Sequence, residues 1–196
     1  MPKRIIKGDF EYIKKKRIRV ILMTILFFAI SIAVFLVGYI TTGSKKNLLT
    51  VVAILGCLPA CKSAVNMIMF IKAKGCSDEA NQKILPHIGR LIPMYDMYFT
   101  SYKKNFAISN MVVDNKVIIG FSEDPKIDIQ EGIQHLNTMM KNAGHTGCTI
   151  TLCDSIDKYI EMLDNLNVSS KEAASSEDTS NNKDDEIRIS LYEITL

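Results

Sequence analysis

Several residue types and motifs that would point to a known chemistry are scarce or missing in this sequence. There is no tryptophan, and the 196 residues include only five prolines, ten glycines and five cysteines. The sequence has no glycine-rich phosphate-binding loop, no G-x-S-x-G motif and no H-E-x-x-H motif. The sequence therefore gives no motif that would assign it to the nucleotide-binding, serine-hydrolase or zinc-protease classes. No internal repeat is visible.

Acidic residues are nearly missing from the first 74 residues, and this divides the chain into two electrostatically opposite parts. Residues 1–74 carry 13 Lys and Arg against 2 Asp and Glu, a net charge of +11, whereas residues 75–196 carry 11 against 19, a net charge of −8. A basic end beside an acidic domain is typical of a protein held against anionic lipid headgroups. The acidic balance also argues against nucleic acid as a partner of the folded part.

A long uncharged run follows the basic N-terminal segment, residues 1–19. The 21 residues from 20 to 40 include no charged side chain, and at roughly 1.5 Å per residue such a helix covers the roughly 30 Å hydrocarbon core of a bilayer. A cleaved signal peptide would have a shorter apolar core followed by small residues, whereas the sequence from Gly38 reads G-Y-I-T-T. The run therefore predicts a transmembrane helix.

A second apolar run, residues 48–71, contains Pro59, Lys62 and Asn66. As a helix it would place Lys62 about 21 Å along the axis from its start, where the side chain can extend toward the cytoplasmic headgroups. The alternative is that Lys62 faces a polar cavity or an ion path, although neither span contains a carboxylate to pair with it. Pro59 removes a backbone donor and predicts a bend in this second transmembrane helix.

The distribution of basic residues predicts how the two spans are oriented. Eight Lys and Arg precede residue 20, and two lie in the connector, residues 41–47. The positive-inside rule then places the N-terminus in the cytoplasm. The sequence thus predicts a multi-pass plasma-membrane protein with both termini cytoplasmic and with anionic lipid headgroups beside its basic residues.

Small residues in the two spans predict a close helix–helix contact. Gly56, Ala60 and Ala64 recur every four residues, and Ala29 with Ala33 offers a matching flat patch on the first span. Such small-xxx-small ridges let helices approach closely in lipid. The ridge either packs the hairpin or forms a homodimer, and the sequence does not separate these alternatives.

The soluble part, residues 75–168, alternates helix and strand signals. Apolar residues at helical spacing over residues 77–102, interrupted by prolines, predict one kinked helix or two short ones. Two β-rich runs separated by Asp114-Asn115 predict a β-hairpin. The element predictions are helix over 77–102, strands over 106–113 and 116–121, helix over 129–143, strand over 148–153 and helix after 154–157. The predicted fold is an α-helical transmembrane hairpin plus a small cytoplasmic α+β domain of order α-β-β-α-β-α.

The last 28 residues divide into a polar and an apolar part. Residues 169–186 are rich in Ser, Asn, Glu, Asp and Lys with little to bury, which predicts an acidic disordered linker. Residues 187–196 alternate apolar and polar side chains, as in a strand. This end is predicted to dock as an edge strand or to serve as a peptide for a partner.

The ionisable residues give little indication of a metal or cofactor site. Glu131 and His135 could share one helical face, but a metal site would need at least one further ligand. Cysteines placed in a cytoplasmic domain do not predict a disulfide framework. We therefore predict no cofactor and no bound metal.

One pattern points to catalysis, and it consists of Asp114, Asp124 and Lys126. An acid followed downstream by acid-x-Lys resembles the metal-binding core of restriction-endonuclease-like folds, whose carboxylates hold a divalent ion while the lysine polarises the attacking water. However, Asp114 falls in a predicted turn, and Pro125 disfavours a continuing strand. Acidic residues before a helix N-terminus also explain the pattern without catalysis.

The lysine-, asparagine- and isoleucine-rich usage, the basic start and the stretch L-P-A-C-K-S-A-V-N at residues 58–66 resemble an uncharacterised group of small two-span membrane proteins from Gram-positive anaerobic bacteria. The resemblance covers most of the chain up to about residue 166. It implies a bacterial plasma membrane and no known activity.

These observations rank three functions. The leading hypothesis is a membrane-anchored interaction or regulatory module whose cytoplasmic domain binds another protein or a small ligand. The alternatives are a membrane-bound, divalent-metal-dependent nuclease-like hydrolase and a small pore or holin-like protein. An enzyme is the less favoured class because no complete catalytic set is recognisable.

Overall fold

A computed structural model describes residues 6–44, 47–101, 104–172 and 177–196. The chain forms two compact units. One is a helical hairpin, Ile13–Ala73, and the other is a domain built from residues 74–196 and the segment before residue 13.

The hairpin consists of α1, Tyr12–Thr42, and α2, Leu48–Lys72. Both helices are long and apolar enough to cross a membrane, which agrees with the two predicted spans. Asn47 caps the start of α2, because its Oδ1 accepts a hydrogen bond from the amide of Thr50 (2.8 Å) and its Nδ2 donates to the carbonyl of Gly38 at the end of α1 (2.8 Å). One side chain thus ties both helices to the connector.

The two helices pack through residues spaced seven apart. On α1 these are Arg17, Thr24, Ser31 and Gly38, which face Phe70, Ser63, Gly56 and Leu49 of α2. The hydroxyls of Thr24 and Ser63 lie 2.7 Å apart. A Cβ added at Gly56 would lie 3.0 Å from the Ser31 Oγ. A seven-residue repeat of contact positions is the spacing of an antiparallel coiled coil.

The predicted packing residues are only partly at this contact. Ala60 is fully buried and Gly56 faces α1, whereas Ala64 is half-buried. Ala29 and Ala33 are exposed, so the patch predicted on α1 does not lie at the contact between the two helices. The physical reason is that helices aligned along their whole length keep a 3.5-residue repeat at the contact, whereas a four-residue ridge rotates away from it.

The domain is a mixed four-stranded sheet between two layers of helices. Its sheet order is β1-β2-β3-β4; β1 pairs antiparallel with β2, β2 antiparallel with β3, and β3 parallel with β4. The elements are α3 (Asp78–Ile84), a 3₁₀ turn (Leu85–His87), β1 (Pro93–Thr100), β2 (Asn105–Asp114), β3 (Val117–Phe121), α4 (Ile129–Asn142), β4 (Thr149–Cys153), α5 (Ile156–Glu172) and α6 (Glu177–Ile194).

Each face of the sheet has its own apolar core. On one face α4 and α6 cover the sheet through Leu136, Met140, Ile187 and Leu191. On the other face α3 and α5 cover it through Ala80, Ile84, Tyr159 and Leu163. Strands buried on both faces read as continuous apolar runs rather than alternating ones.

That burial explains the largest error of the sequence analysis. Residues 93–100, predicted to be helical, form β1, and six consecutive residues of this strand are buried. Because both faces are covered, the run lacks a two-residue period and its apolar residues also fit a helical period. The predicted helix is correct only over α3, and the order begins α-β-β-β rather than α-β-β.

The other elements follow the prediction closely. The β-hairpin is confirmed, although its left-handed turn residues are Asn115 (φ 48°) and Lys116 (φ 63°), one position later than predicted. Helix α4 begins as predicted after Asp128, whose carboxylate accepts from the amide of Glu131 (3.1 Å). Cys148, directly before β4, and Cys153, at its end, contact opposite cores, as their odd separation in sequence predicts.

The C-terminal segment is a helix rather than a linker and a strand. Residues 169–172 end α5 and residues 177–194 form α6, while residues 173–176 of the predicted linker lie outside the described residues. Asp184, Ile187 and Leu191 are buried at helical spacing, which the strand reading of residues 187–196 overlooked. After α6, Thr195 forms an antiparallel bridge to Phe99 on the edge of β1, and the amide of Leu196 donates to the carbonyl of Tyr98 (3.0 Å).

Candidate functional site

Strand β1 is irregular at Asp96, and the candidate site is built around this residue. Tyr95 pairs with Asn110 and Met97 with Ile108, and Asp96 between them adopts a left-handed conformation with φ 57°. Met94 and Met97 therefore both reach the same core, although they are three residues apart. A left-handed residue inside a strand stores backbone strain and re-aims its side chain.

The chain that enters the hairpin is fastened to β1 beside this irregularity. The amide of Tyr95 donates to the carbonyl of Gly8 (2.9 Å), and the rings of Phe10 and Tyr95 pack edge to face. Lys7 Nζ donates to the carbonyls of Tyr192 (3.2 Å) and Thr195 (2.9 Å) near the end of α6. A cation there satisfies carbonyls that the helix leaves open. We call residues 6–12 the N-terminal stem.

The chain that leaves the hairpin is fastened at the neighbouring residue of the same strand. Asp96 Oδ1 accepts from the amide of Cys76 (2.7 Å). The carboxylate of Glu123 accepts from the amide of Ser77 (2.8 Å) and from its hydroxyl (2.5 Å), and Lys74 pairs with Asp124 at 3.5 Å. We call residues 74–77 the C-terminal stem, and Tyr95, Asp96, Glu123 and Asp124 the stem clamp.

Both stems depend on glycine at the point of closest approach. A Cβ at Gly75 would lie 2.6 Å from Asp96 Oδ1, and a Cβ at Gly8, whose φ is 90°, would lie 2.5 Å from the ring of Tyr192. Neither distance leaves room for a side chain. At both positions the backbone therefore packs directly against the neighbouring side chain, with no room for a Cβ.

The electrostatics of the stem clamp favour hydrogen bonding over catalysis. Asp96 is only 5% exposed, and its contact with the Cys76 amide satisfies a carboxylate that burial would otherwise destabilise. Burial, together with the nearby Cys76, raises the pKa of Tyr95. The phenol therefore stays protonated at neutral pH.

A second candidate is a cavity of about 270 Å³ at the C-terminal end of α4. It is lined by Asn137, Met140, Lys141, His145, Thr146, Gly147 and Cys148. His145 Nε2 lies 2.8 Å from the Ser190 Oγ of α6. Burial raises the pKa of the Cys148 thiol, so this sulfur is a poor nucleophile at neutral pH. The volume is below the usual size of ligand pockets and suits only a small molecule.

The structure separates the residues of the predicted nuclease-like pattern. Asp114 lies at the hairpin end of β2, opposite Val117, whereas Asp124 follows the other end of β3. The five residues of β3 alone span about 16 Å, whereas carboxylates that hold one divalent ion each place an oxygen within about 2.0–2.6 Å of it. Asp124 contacts Lys74 and the amide of Lys126 instead. The nuclease-like site is not assembled.

Three further side chains that could ligate a metal contact other side chains instead. Glu131 pairs with Lys104 (2.7 Å), and His135 packs on the ring of Phe106. His87 contacts the carboxylate of Asp164 at the surface. Over the described ranges, no group of three or more His, Cys, Asp and Glu side chains is arranged to hold a metal ion.

Sequence reasoning missed the stem clamp, although one signal was present. Asp96 is the only charged residue within the apolar run from Pro93 to Phe99. Buried carboxylates are rare unless they are paired, so a strand interpretation of this run would have required a partner for it. The helical interpretation instead left Asp96 without any assigned contact.

No protein-family model, curated protein or solved structure matches this sequence.

Proposed function

We propose that this protein is a membrane-anchored interaction or regulatory module. The two apolar helices cross a bacterial plasma membrane, both termini lie in the cytoplasm, and the acidic domain binds another protein or a small ligand there. The proposal is supported by two helices of sufficient length and apolar character and by the opposite charges of the two parts of the chain.

The stem clamp is the single observation that carries this proposal. Both stems end on adjacent residues of β1, at the backbone of Tyr95 and at the carboxylate of Asp96. A domain that only needed tethering would tolerate flexible linkers at both ends. Here both stems instead bond to one strained position of β1. A shift of either chain segment that leads into the hairpin would therefore change the conformation of the domain at this strand.

Anionic lipid is the second partner in this proposal. A surface groove on α1 is lined by Lys15 and Arg19 together with Ile18, Leu22, Met23 and Leu26. Basic groups at one end of an apolar groove suit the phosphate and the acyl chain of a phospholipid. Arg17 is already engaged, because it donates to the carbonyls of Phe70 (2.9 Å) and Ala73 (2.7 Å).

Affinity capture of the full chain from native membranes tests the interaction module. The matched variant is Leu163→Asp, which places a charge in the buried core of the domain and leaves the hairpin sequence unchanged. We expect at least one protein to be retained by the wild-type chain and lost with the variant, while both chains resist carbonate extraction. Identical captured proteins with both chains would contradict the proposal.

The pore alternative has less support from the described hairpin. Its polar hydroxyls at Thr24 and Ser63 bond to each other, so they do not line a path for ions. Deleting residues 75–196 separates the two functions, because a pore formed by the hairpin would still release a dye from vesicles. An anchor would not release it.

A further inference from the structure

The outer face of α2 carries polar groups that the hairpin does not cover. Lys62 and Asn66 are exposed and lie one turn apart. Pro59, inside the helix and on the same face, has no amide hydrogen, so the carbonyl of Leu55 lacks its usual helical donor. These groups form a stripe, Leu55–Pro59–Lys62–Asn66, which we call the polar stripe.

The polar stripe lies at the depth where lipid offers no hydrogen-bonding partner. Lys62 is about 21 Å from the first residue of α2 and about 15 Å from its last, Lys72. Side chains of a helix tilt toward its N-terminus. With the N-terminus of α2 outside, as proposed above, the first bonds of the Lys62 side chain point away from the nearer, cytoplasmic boundary. Extension of this side chain toward the cytoplasmic headgroups is therefore disfavoured.

The chain contains no acidic group that could neutralise Lys62 within the membrane. Between Glu11 and Asp78 the sequence has neither Asp nor Glu. A second copy packed on the polar stripe would therefore bring another lysine without a carboxylate, and like charges repel. Charge complementarity points to a different partner.

We propose that the polar stripe binds a transmembrane helix of another protein, one that carries an Asp or Glu near the middle of the bilayer. The partner's carboxylate pairs with the Lys62 ammonium. Beside it, the carboxamide of Asn66 donates or accepts hydrogen bonds and the carbonyl of Leu55 accepts one. Intramembrane charges are tolerated when they pair in this way. This inference rests on the proposed insertion of the hairpin, and it gives the interaction module a partner of defined chemistry.

The test uses the full chain in phosphatidylcholine vesicles with a synthetic leucine-rich transmembrane helix. The helix carries one central Asp, with an all-leucine helix as its control. A benzoylphenylalanine at Leu55 reports contact with the polar stripe, and one at Ile54, exposed on another face, reports random encounters. Polar pairs between membrane helices change association by about threefold to thirtyfold. We expect an increase of that size in the Leu55 adduct with the Asp helix, and none at Ile54.

Variants at two lysines complete the experiment. Lys62→Met should reduce the adduct to the all-leucine level and Lys62→Arg should retain it, while the matched control Lys72→Met should change nothing. Equal adducts with both synthetic helices, or an adduct unaffected by Lys62→Met, would overturn the inference. A Leu55 adduct made mainly between two copies of this chain would overturn it in favour of a homodimer. Flotation of the same vesicles separates the two proposals, because a chain that fails to float contradicts membrane insertion itself.

Discussion

The hairpin and the domain bury opposite kinds of side chain. In the hairpin, small and hydroxyl-bearing residues such as Thr24, Ser31 and Ala60 make the contact between the helices. Large apolar residues such as Leu22 and Ile54 are more than 60% exposed. In the domain the large apolar side chains are buried on both faces of the sheet. The packing of the domain suits water, whereas the exposed apolar surface of the hairpin suits the membrane insertion proposed above.

The same principle explains both units: the surrounding solvent determines which side chains are buried. Water drives large apolar groups inward, whereas hydrocarbon gives no such drive and rewards close backbone approach and internal hydrogen bonds. Thr24 and Ser31 accordingly donate to carbonyls of their own helix, at 2.8 and 3.0 Å. The domain instead secures its chain ends through the stem clamp.

The largest expected effect concerns the boundary of the water-packed unit. A fragment of residues 75–168, the domain as predicted from sequence, lacks Ile187 and Leu191 of α6, and each buried side chain contributes about 1.5–3 kcal/mol. We expect this fragment to aggregate or melt without cooperativity, and residues 74–196 to show a sigmoidal thermal transition by circular dichroism. A cooperative melt of the shorter fragment at the same temperature would show that α6 is not part of the core.

Truncating one apolar side chain in each unit sharpens the comparison. Phe106→Ala in the full chain should lower the free energy of unfolding by about 3–5 kcal/mol, because Phe106 is 2% exposed in the core. Leu26→Ala, on the outer surface of α1, should change it by no more than about 0.5 kcal/mol. Urea unfolding in detergent micelles measures both changes in the free energy of unfolding. Equal losses for the two variants would contradict the conclusion that large apolar side chains are buried in the domain and exposed in the hairpin.

The stem clamp predicts an effect of intermediate size. Asp96→Val replaces an acceptor for the Cys76 amide and puts a β-branched residue at a φ of 57°, so we expect a loss of about 1–3 kcal/mol. Asp96→Asn keeps an acceptor and tolerates the left-handed conformation, and it should cost less. If both variants unfold with wild-type stability, the clamp does not hold the C-terminal stem.

Enlarging a small residue tests the hairpin contact. Gly56→Leu should separate the helices, since even a Cβ at Gly56 approaches the Ser31 Oγ to 3.0 Å. The separation is measured by the rate of disulfide formation between Thr24→Cys and Ser63→Cys, whose native hydroxyls are 2.7 Å apart. Ile54→Leu on the exposed face is the control and should leave the rate unchanged. A rate unaffected by Gly56→Leu would show that this face is not the contact.

The smallest expected effect is the pH dependence of one helix cap. The hydrogen bond from the Glu131 amide, followed by the contact with Lys104, lowers the pKa of Asp128. A carboxyl with a lowered pKa stabilises the folded state above its unfolded pKa, and this stabilisation is lost as the pH falls through the folded pKa. The melting temperature of the wild type should therefore approach that of Asp128→Asn below about pH 4. A difference that stays constant down to pH 2 would contradict this assignment.

The sequence was most informative where a single period or cap determines an element. Long apolar runs predicted both long helices, and Asp128 predicted the start of α4. Prediction failed in β1, because burial on both faces removes the two-residue alternation of apolar and polar side chains. It also failed at Ile187 and Leu191, because their spacing fits a helix as well as a strand. The stem clamp depends on contacts between residues such as Gly8 and Tyr95 that are distant in sequence, and no local pattern encodes such pairs.

The central claim, an inserted hairpin with both termini in the cytoplasm, is tested most directly by cysteine accessibility in intact cells. In a chain whose native cysteines are replaced by serine, Gly43→Cys and Ser170→Cys are each treated with a membrane-impermeant maleimide. We predict that Gly43→Cys is labelled from outside and that Ser170→Cys is labelled only after the cells are broken. Labelling of Ser170→Cys in intact cells, or protection of Gly43→Cys in them, would contradict the account.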